Sequence, residues 1–297
     1  MFLYHHFQTN GCSVFNVNVM YYLESYFVRM EEYVLDIIIS AATYRSGSTL
    51  VQRIFNSREK TIIWGEHRAC LSAFSCIYKN LKEWSENGDF IRQRNEFFKE
   101  NRDPNIWIAN LIPNKSYLDA AIVKATRTFL DEYYSEFKSN FDILGFKEVR
   151  YGREELELLR KCYANCKIIM IVRNPIDVWS SLLGVHWYNG HLEGFIKQWN
   201  KNTGDYLEFL EEDNNSFLIR YEDIIARKED IMELLSKLGD IDKKKIYSVL
   251  DVRIDSSHQS VPVEDKIYIL KHCGTLMQRL GYLGNDKYIE EKVYDGE

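Results

Sequence analysis

Two short segments of this 297-residue chain carry side chains suited to holding anions, and each follows a run of strand composition. The first, Tyr44-Arg45-Ser46-Gly47-Ser48-Thr49, lies between YVLDIIIS and helix-compatible residues running from Thr49 to Asn56. At such a strand-to-helix junction the backbone N–H groups of Ser46 to Thr49 can point at a phosphate. Gly47 permits close approach and Arg45 adds a bidentate charge. The same residues also make an ordinary helix N-cap, so the segment alone leaves both readings open. It does not contain GxxxxGK[ST] or a Rossmann fingerprint, so neither of those phosphate loops is meant.

The second segment, Arg173-Asn174-Pro175-Ile176-Asp177-Val178-Trp179-Ser180-Ser181, follows CKIIMIV. Pro175 suits a first helical position, which puts Arg173 at a strand mouth and Ser181 about two turns along the helix. An Arg and a Ser so placed can grip a second phosphate, although Arg-Asn-Pro also serves as a plain turn.

The elements that must position these segments are short apolar strands alternating with amphipathic helices. Strands are predicted at Tyr33–Ser40, within Asn140–Val149, at Cys166–Val172 and at Ser216–Ile219. Helices are predicted at Thr49–Asn56, Arg153–Ala164, from Ile176, at Glu193–Glu212 and at Glu229–Leu238. That alternation predicts an α/β fold with a parallel sheet covered on both faces. The stretch from about 70 to 140 is helical in character and reads as an insertion beside the sheet. Residues 35–297 are expected to form a single domain. Residues 1–34 form an N-terminal extension of unread role, with Val19–Met30 compatible with an amphipathic helix.

Composition excludes several classes. The chain has 38 Lys+Arg against 44 Asp+Glu, a net charge of −6, so no overall basic field draws nucleic acid or an anionic membrane. An anionic ligand must be held by a local cluster. Six scattered cysteines form neither a disulfide framework nor a zinc pattern; Cys162 and Cys166 could share a helix face, but no second pair lies near, and no metal is expected. No stretch approaches the ~20 apolar residues of a transmembrane segment, and the N-terminus is a poor signal peptide. A cytoplasmic protein is expected.

Taken together, YRSGST after an early strand and VRNPIDVWSS after a later one resemble the two donor-binding elements of the sulfotransferase superfamily, which uses 3′-phosphoadenosine-5′-phosphosulfate (PAPS). The first resembles the 5′-phosphosulfate loop PRSGTT or PKSGTT, the second the 3′-phosphate motif RxPxxxxxS. FLIRYEDI resembles the family's RYEDL, GFKEVR its lysine-bearing segment, LMQRLGY its closing helix, and SSHQSVPV the donor-covering loop of the tyrosylprotein branch. Two positions depart: Tyr44 stands where the family has Pro, and Ala42 where it has Gly. Arg45 in place of Lys, and the missing KGxxGxWK loop, point to the carbohydrate, tyrosylprotein and bacterial branches.

The resemblance implies a P-loop-like, nucleotide-binding sheet and a transferase that needs PAPS as co-substrate and no metal. It implies donor binding by Arg45, Ser46, Gly47, Ser48, Thr49, Arg173, Ser181, Tyr221, Ser257 and Gln259. It implies Glu66 as general base, with His67 in reserve, and Lys147 and Arg45 as stabilisers of the leaving phosphate. The acceptor would be a hydroxyl of a carbohydrate, glycolipid or peptide tyrosine; Trp187, Tyr188 and His191, just past the second segment's helix, could line its cleft or serve only in helix packing. A sulfotransferase-like module without catalysis and, further off, a nucleotide-dependent kinase are the competing readings. The oligomeric state is not legible.

Overall fold

The computed structural model describes residues 35–99, 105, 109–252 and 259–283. The expectations for residues 1–34 and for Ser257 lie outside the described residues. Five strands form one sheet: β1 (Ile37–Ala41), β2 (Thr61–Trp64), β3 (Ile143–Glu148), β4 (Lys167–Val172) and β5 (Ser216–Arg220). All neighbours pair in parallel, in the order β2-β3-β1-β4-β5. Parallel strands need helical crossovers on both faces, which is why β1 is buried along its whole length and reads as a continuous apolar run.

The helices are α1 (Ser48–Asn56), α2 (Leu71–Ser85), α3 (Gly88–Lys99), α4 (Lys115–Tyr133), α5 (Arg153–Cys162), α6 (Pro175–Leu183), α7 (Leu192–Glu212), α8 (Tyr221–Ile225), α9 (Glu229–Gly239), α10 (Lys243–Asp251) and α11 (Val263–Arg279). One core joins Ile37, Ile39 and Ala41 of β1 to Val51, Ile54 and Phe55 of α1 and to Met232, Leu235 and Leu238 of α9. Each of these side chains except Ala41 contributes about 1.5–3 kcal/mol through burial. The alternate residue of β1, Ser40, bonds Tyr206 of α7 at 2.7 Å, so α7 reaches the opposite face of the sheet. The helical insertion is α2, α3 and α4; Asn114 caps α4 by accepting from the Ser116 N–H. Among the described residues no helix is long and apolar enough to cross a membrane.

The expected strands and helices are present with ends shifted by a few residues. Three elements had not been anticipated: β2, α8 and α10. Of these, β2 leads through Gly65 into Glu66, the expected general base.

Candidate functional site

The carboxyl ends of the five strands open along one edge of the sheet, and each leads into a residue of the site: Tyr44–Gly47 after β1, Glu66 after β2, Lys147 to Arg150 at the end of β3, Arg173 after β4 and Tyr221 after β5. The chain leaves β1 toward β2 and leaves β4 toward β5, so the β1–β4 gap is the topological switch point where open α/β sheets bind ligands.

In the loop after β1, Arg45 has φ 64° and Gly47 has φ 96°. Left-handed residues within a tight turn are how successive N–H groups come to face one concavity. Gly47 is the N-cap of α1, and the N–H groups of a helix's first turn have no acceptor within the helix. Ser46 and Ser48 are buried, with the Ser46 hydroxyl 3.0 Å from that of Thr43, whereas Thr49 is exposed.

The second segment touches the first. Arg173, only 9% exposed, donates from Nη1 to the Arg45 carbonyl at 2.9 Å, and Arg45 Nε donates to the Ser181 hydroxyl at 2.9 Å. The Arg173 guanidinium lies 4.4 Å from the centre of the Tyr221 ring. That ring rests on Gly47: a Cβ there would come within 2.2 Å of Tyr221 Cδ2. Arg45, Gly47, Arg173, Ser181 and Tyr221 are therefore one contiguous cluster. Arg173 Nε is buried with no hydrogen-bond partner among the described residues. A buried guanidinium N–H left unpaired is costly, so the position suits an anionic acceptor supplied by a ligand.

The rest of the RYED segment clamps this arrangement. Glu222 accepts from the Asn174 N–H at 2.9 Å and from the Tyr282 hydroxyl at 3.0 Å. Arg220 donates to both oxygens of Asp223 at 2.7 Å and to the Leu280 carbonyl at 2.6 Å. Gln259 reaches the cluster through its backbone: its N–H donates to the Ser180 carbonyl, and its carbonyl accepts from the Ser180 hydroxyl at 2.6 Å.

Glu66 and Lys147 form the other half of the site. Lys147 Nζ donates to Glu66 Oε1 at 2.6 Å, and Arg150 Nη2 donates to Glu66 Oε2 at 3.1 Å. Arg150 also pairs with Glu148 at 3.1 Å and donates from Nε to the Tyr44 hydroxyl at 2.6 Å. It thereby ties the ends of β1, β2 and β3 together. The Glu148 side chain is fully buried and accepts from the N–H groups of Ala69, at 2.7 Å, and Val149, at 2.9 Å. Charge-assisted bonds of this kind offset the cost of Arg68 and Ala69, both left-handed at φ 58° and 54°.

His67 is placed behind the site. Its ring nitrogens are engaged by the hydroxyls of Tyr134 and Tyr151, its side chain is buried, and Phe146 packs on it at 4.6 Å between centroids. Burial holds its proton affinity below the ordinary histidine value, against the opposing pull of Glu148. With both nitrogens engaged by tyrosine hydroxyls, the ring is a wall element behind the site, and Glu66 is the more exposed of the two candidate bases. Cys162 and Cys166 are buried thiols, pushed upward chiefly by burial, and no group of three or more potential metal ligands exists among the described residues.

Sequence reasoning missed Arg150 and Glu148, although both stand in the GFKEVR segment. The signal for β2 was available in the β-branched run TIIW, halted by Gly65.

A parallel sheet with Arg45 and Arg173 clustered at its switch point defines an α/β protein with a cationic strand-mouth site. The chain belongs to the sulfotransferase family, whose model matches residues 38–242. Among solved structures, sulfotransferase STF9 from Mycobacterium avium aligns with a TM-score of 0.51 at 11% identity, covering 89% of this chain and 81% of that one, which shows a shared fold. The sulfotransferase domain from the curacin biosynthetic pathway aligns with a TM-score of 0.48 at 16% identity, over 85% of this chain and 99% of that chain. No curated protein sequence matches it.

Proposed function

We propose that the protein transfers a sulfuryl group from PAPS to a hydroxyl of a carbohydrate, glycolipid or peptide tyrosine. The observation that carries this reading is the union of the two anion-binding segments: Arg173 bonds the Arg45 backbone while its own Nε stays buried and unpaired. In the proposed roles Ser46 to Thr49 and Arg45 hold the 5′ end of the co-substrate, Arg173 and Ser181 the 3′-phosphate, and Tyr221 and Gln259 flank it. The co-substrate supplies the activated sulfuryl group and a phosphate leaving group.

The chain's own residues do the rest. An acceptor hydroxyl is a weak nucleophile at neutral pH, so a base must take its proton as the bond forms. Glu66 is the carboxylate available for this, exposed at the strand mouth and oriented through both oxygens by Lys147 and Arg150. Lys147 and Arg45 supply positive charge where negative charge develops, which is the main requirement of such a transfer.

The test is calorimetric titration with 3′,5′-diphosphoadenosine beside ATP/Mg²⁺, followed by transfer from radiolabelled PAPS to sugar and tyrosine acceptors. Diphosphoadenosine should bind in preference to ATP/Mg²⁺. Arg173→Ala should weaken it about 10- to 100-fold, the worth of a charge-assisted hydrogen bond. Glu66→Gln should bind it normally yet lose about 10²- to 10⁴-fold in turnover. Equal binding by the Arg173 variant rejects the donor site, and undiminished turnover by the Glu66 variant rejects the base.

A further inference from the structure

Tyr44 occupies the position before the loop arginine and does two things at once. Its hydroxyl accepts from Arg150 Nε, and its ring meets Trp187 edge to face, 5.4 Å between centroids at 70°. Trp187 is 58% exposed, unusual for the largest side chain on a surface that gains nothing from wetting it. It is also held in place. Tyr188 lies 6.3 Å from it at 85° and 6.2 Å from Trp179 at 84°. Trp179 in turn stacks on Phe195 at 5.4 Å and donates from its indole to Asp265 at 2.8 Å. Trp187 is thus the outer rung of an aromatic ladder whose inner rungs are fixed by α6, α7 and α11, and its neighbour on the site side is Tyr44. A rigid aromatic face kept open to solvent has little entropy left to lose on binding, and it matches the apolar face of another ring.

Arg150 connects this wall to the chemistry. The guanidinium that fixes the Tyr44 hydroxyl also holds Glu66 Oε2, so the wall and the proposed base share one support. We infer that Tyr44 and Trp187 form the acceptor-recognition wall and that the acceptor is a ring-bearing hydroxyl compound, a pyranose or a phenol, stacked there with its hydroxyl directed to Glu66. Arg150 acts as the positioning residue of both. The inference rests on the sulfuryl-transfer reading above, and it selects acceptors that stack over linear alcohols.

The experiment measures initial rates of sulfuryl transfer from PAPS to methyl β-galactopyranoside, to N-acetyltyrosinamide and to 1-butanol. Wild type is compared with Trp187→Ala and Tyr44→Phe, with diphosphoadenosine affinity determined in parallel. The expected result is that wild type favours one of the ring acceptors over 1-butanol. Trp187→Ala should raise the KM for that acceptor at least tenfold while leaving kcat within threefold and donor affinity unchanged. Tyr44→Phe keeps the ring but leaves Arg150 Nε without its hydroxyl acceptor, loosening the guanidinium that orients Glu66, and should lower kcat with little change in KM. Preference for the sugar or the tyrosine arm identifies which ring the wall takes. Unchanged acceptor KM in Trp187→Ala, an equal loss on 1-butanol, or no transfer to either ring acceptor overturns the inference. Failure of the wild type to bind diphosphoadenosine overturns instead the reading on which it rests.

Discussion

Replacing Gly47 by Ala tests whether the two anion-binding segments depend on one another. Gly47 has φ +96°, and a left-handed alanine costs about 1–2 kcal/mol before any contact is considered. Its Cβ would lie 2.2 Å from Tyr221 Cδ2, 2.8 Å from Cε2 and 3.2 Å from Cγ, so the whole ring must tilt and not merely its tip. Tilting pulls the ring from beneath Arg173, whose guanidinium lies 4.4 Å from its centre, a contact worth about 0.5–1 kcal/mol. The sum is about 1.5–3 kcal/mol of lost stability, together with weaker binding of diphosphoadenosine because Arg173 loses its backing. Urea denaturation of Gly47→Ala, Tyr221→Ala and the double variant separates the two contributions, provided the slope is unchanged. In the Tyr221→Ala background the glycine change should cost only the backbone part, about 1–2 kcal/mol. An equal cost in both backgrounds, or a cost under about 0.5 kcal/mol in the wild type, would refute the packing of Tyr221 on Gly47.

Two further changes probe the other half of the site. Glu148→Ala leaves the Ala69 and Val149 N–H groups and one arm of Arg150 unpaired in a buried setting, and should destabilise by about 3–5 kcal/mol in denaturant melts; a loss under about 1 kcal/mol contradicts the buried-carboxylate account. His67 is held below its ordinary value of 6.5 by burial, so the unfolded chain binds a proton there before the folded chain does. Stability should therefore fall as pH drops below about 6.5, at up to about 1.4 kcal/mol per pH unit, until folded His67 itself titrates. His67→Gln should flatten the curve in that window, and identical curves for the two proteins would exclude a neutral, buried imidazole.

How much of this was legible in the sequence follows from how local each feature is. Runs such as IIIS and CKIIMIV announce β1 and β4 because strands buried on both faces are apolar at every position. The two anion segments are equally local, with the turn, the charge and the helix start contiguous in the chain. β2 has only four residues, TIIW, too few for a period to stand out, and α8 is shorter than two turns. Glu66 was reached only through resemblance. Arg150 reads in sequence as any arginine after a strand; its importance comes from Tyr44, Glu66 and Glu148 meeting at its guanidinium from three strand ends. The hydroxyls that occupy His67 likewise come from Tyr134, at the end of α4, and from Tyr151, just beyond β3. Neither meeting has a signature in local spacing.

The order of the strands also separates the site's charges into two unlike halves. On the side of β1, β4 and β5, neither Arg45 nor Arg173 forms an ion pair with a carboxylate among the described residues; their bonds go to a hydroxyl and a backbone carbonyl. On the side of β2 and β3, Lys147 and Arg150 are both paired, with Glu66 and Glu148. The β1, β4 and β5 side thus holds two guanidinium groups without an ion-pair partner among the described residues, with the Glu222 carboxylate nearby on the Asn174 N–H, whereas the β2 and β3 side holds balanced ion pairs. In the proposed reading the anionic donor is drawn to Arg45 and Arg173, because there it gains a charge partner without displacing one. The paired end presents the Glu66 carboxylate, tied through Arg150 to the Tyr44 hydroxyl, and in the proposed reading it receives the neutral hydroxyl of the acceptor. Because β1 lies between β3 and β4 in the sheet, the loop carrying Tyr44 and Arg45 lies between the two halves, and in the proposed reading these adjacent residues face acceptor and donor. That division gives the proposed transfer its direction: the donor's charge is bound on one side, and the proton of the acceptor leaves on the other.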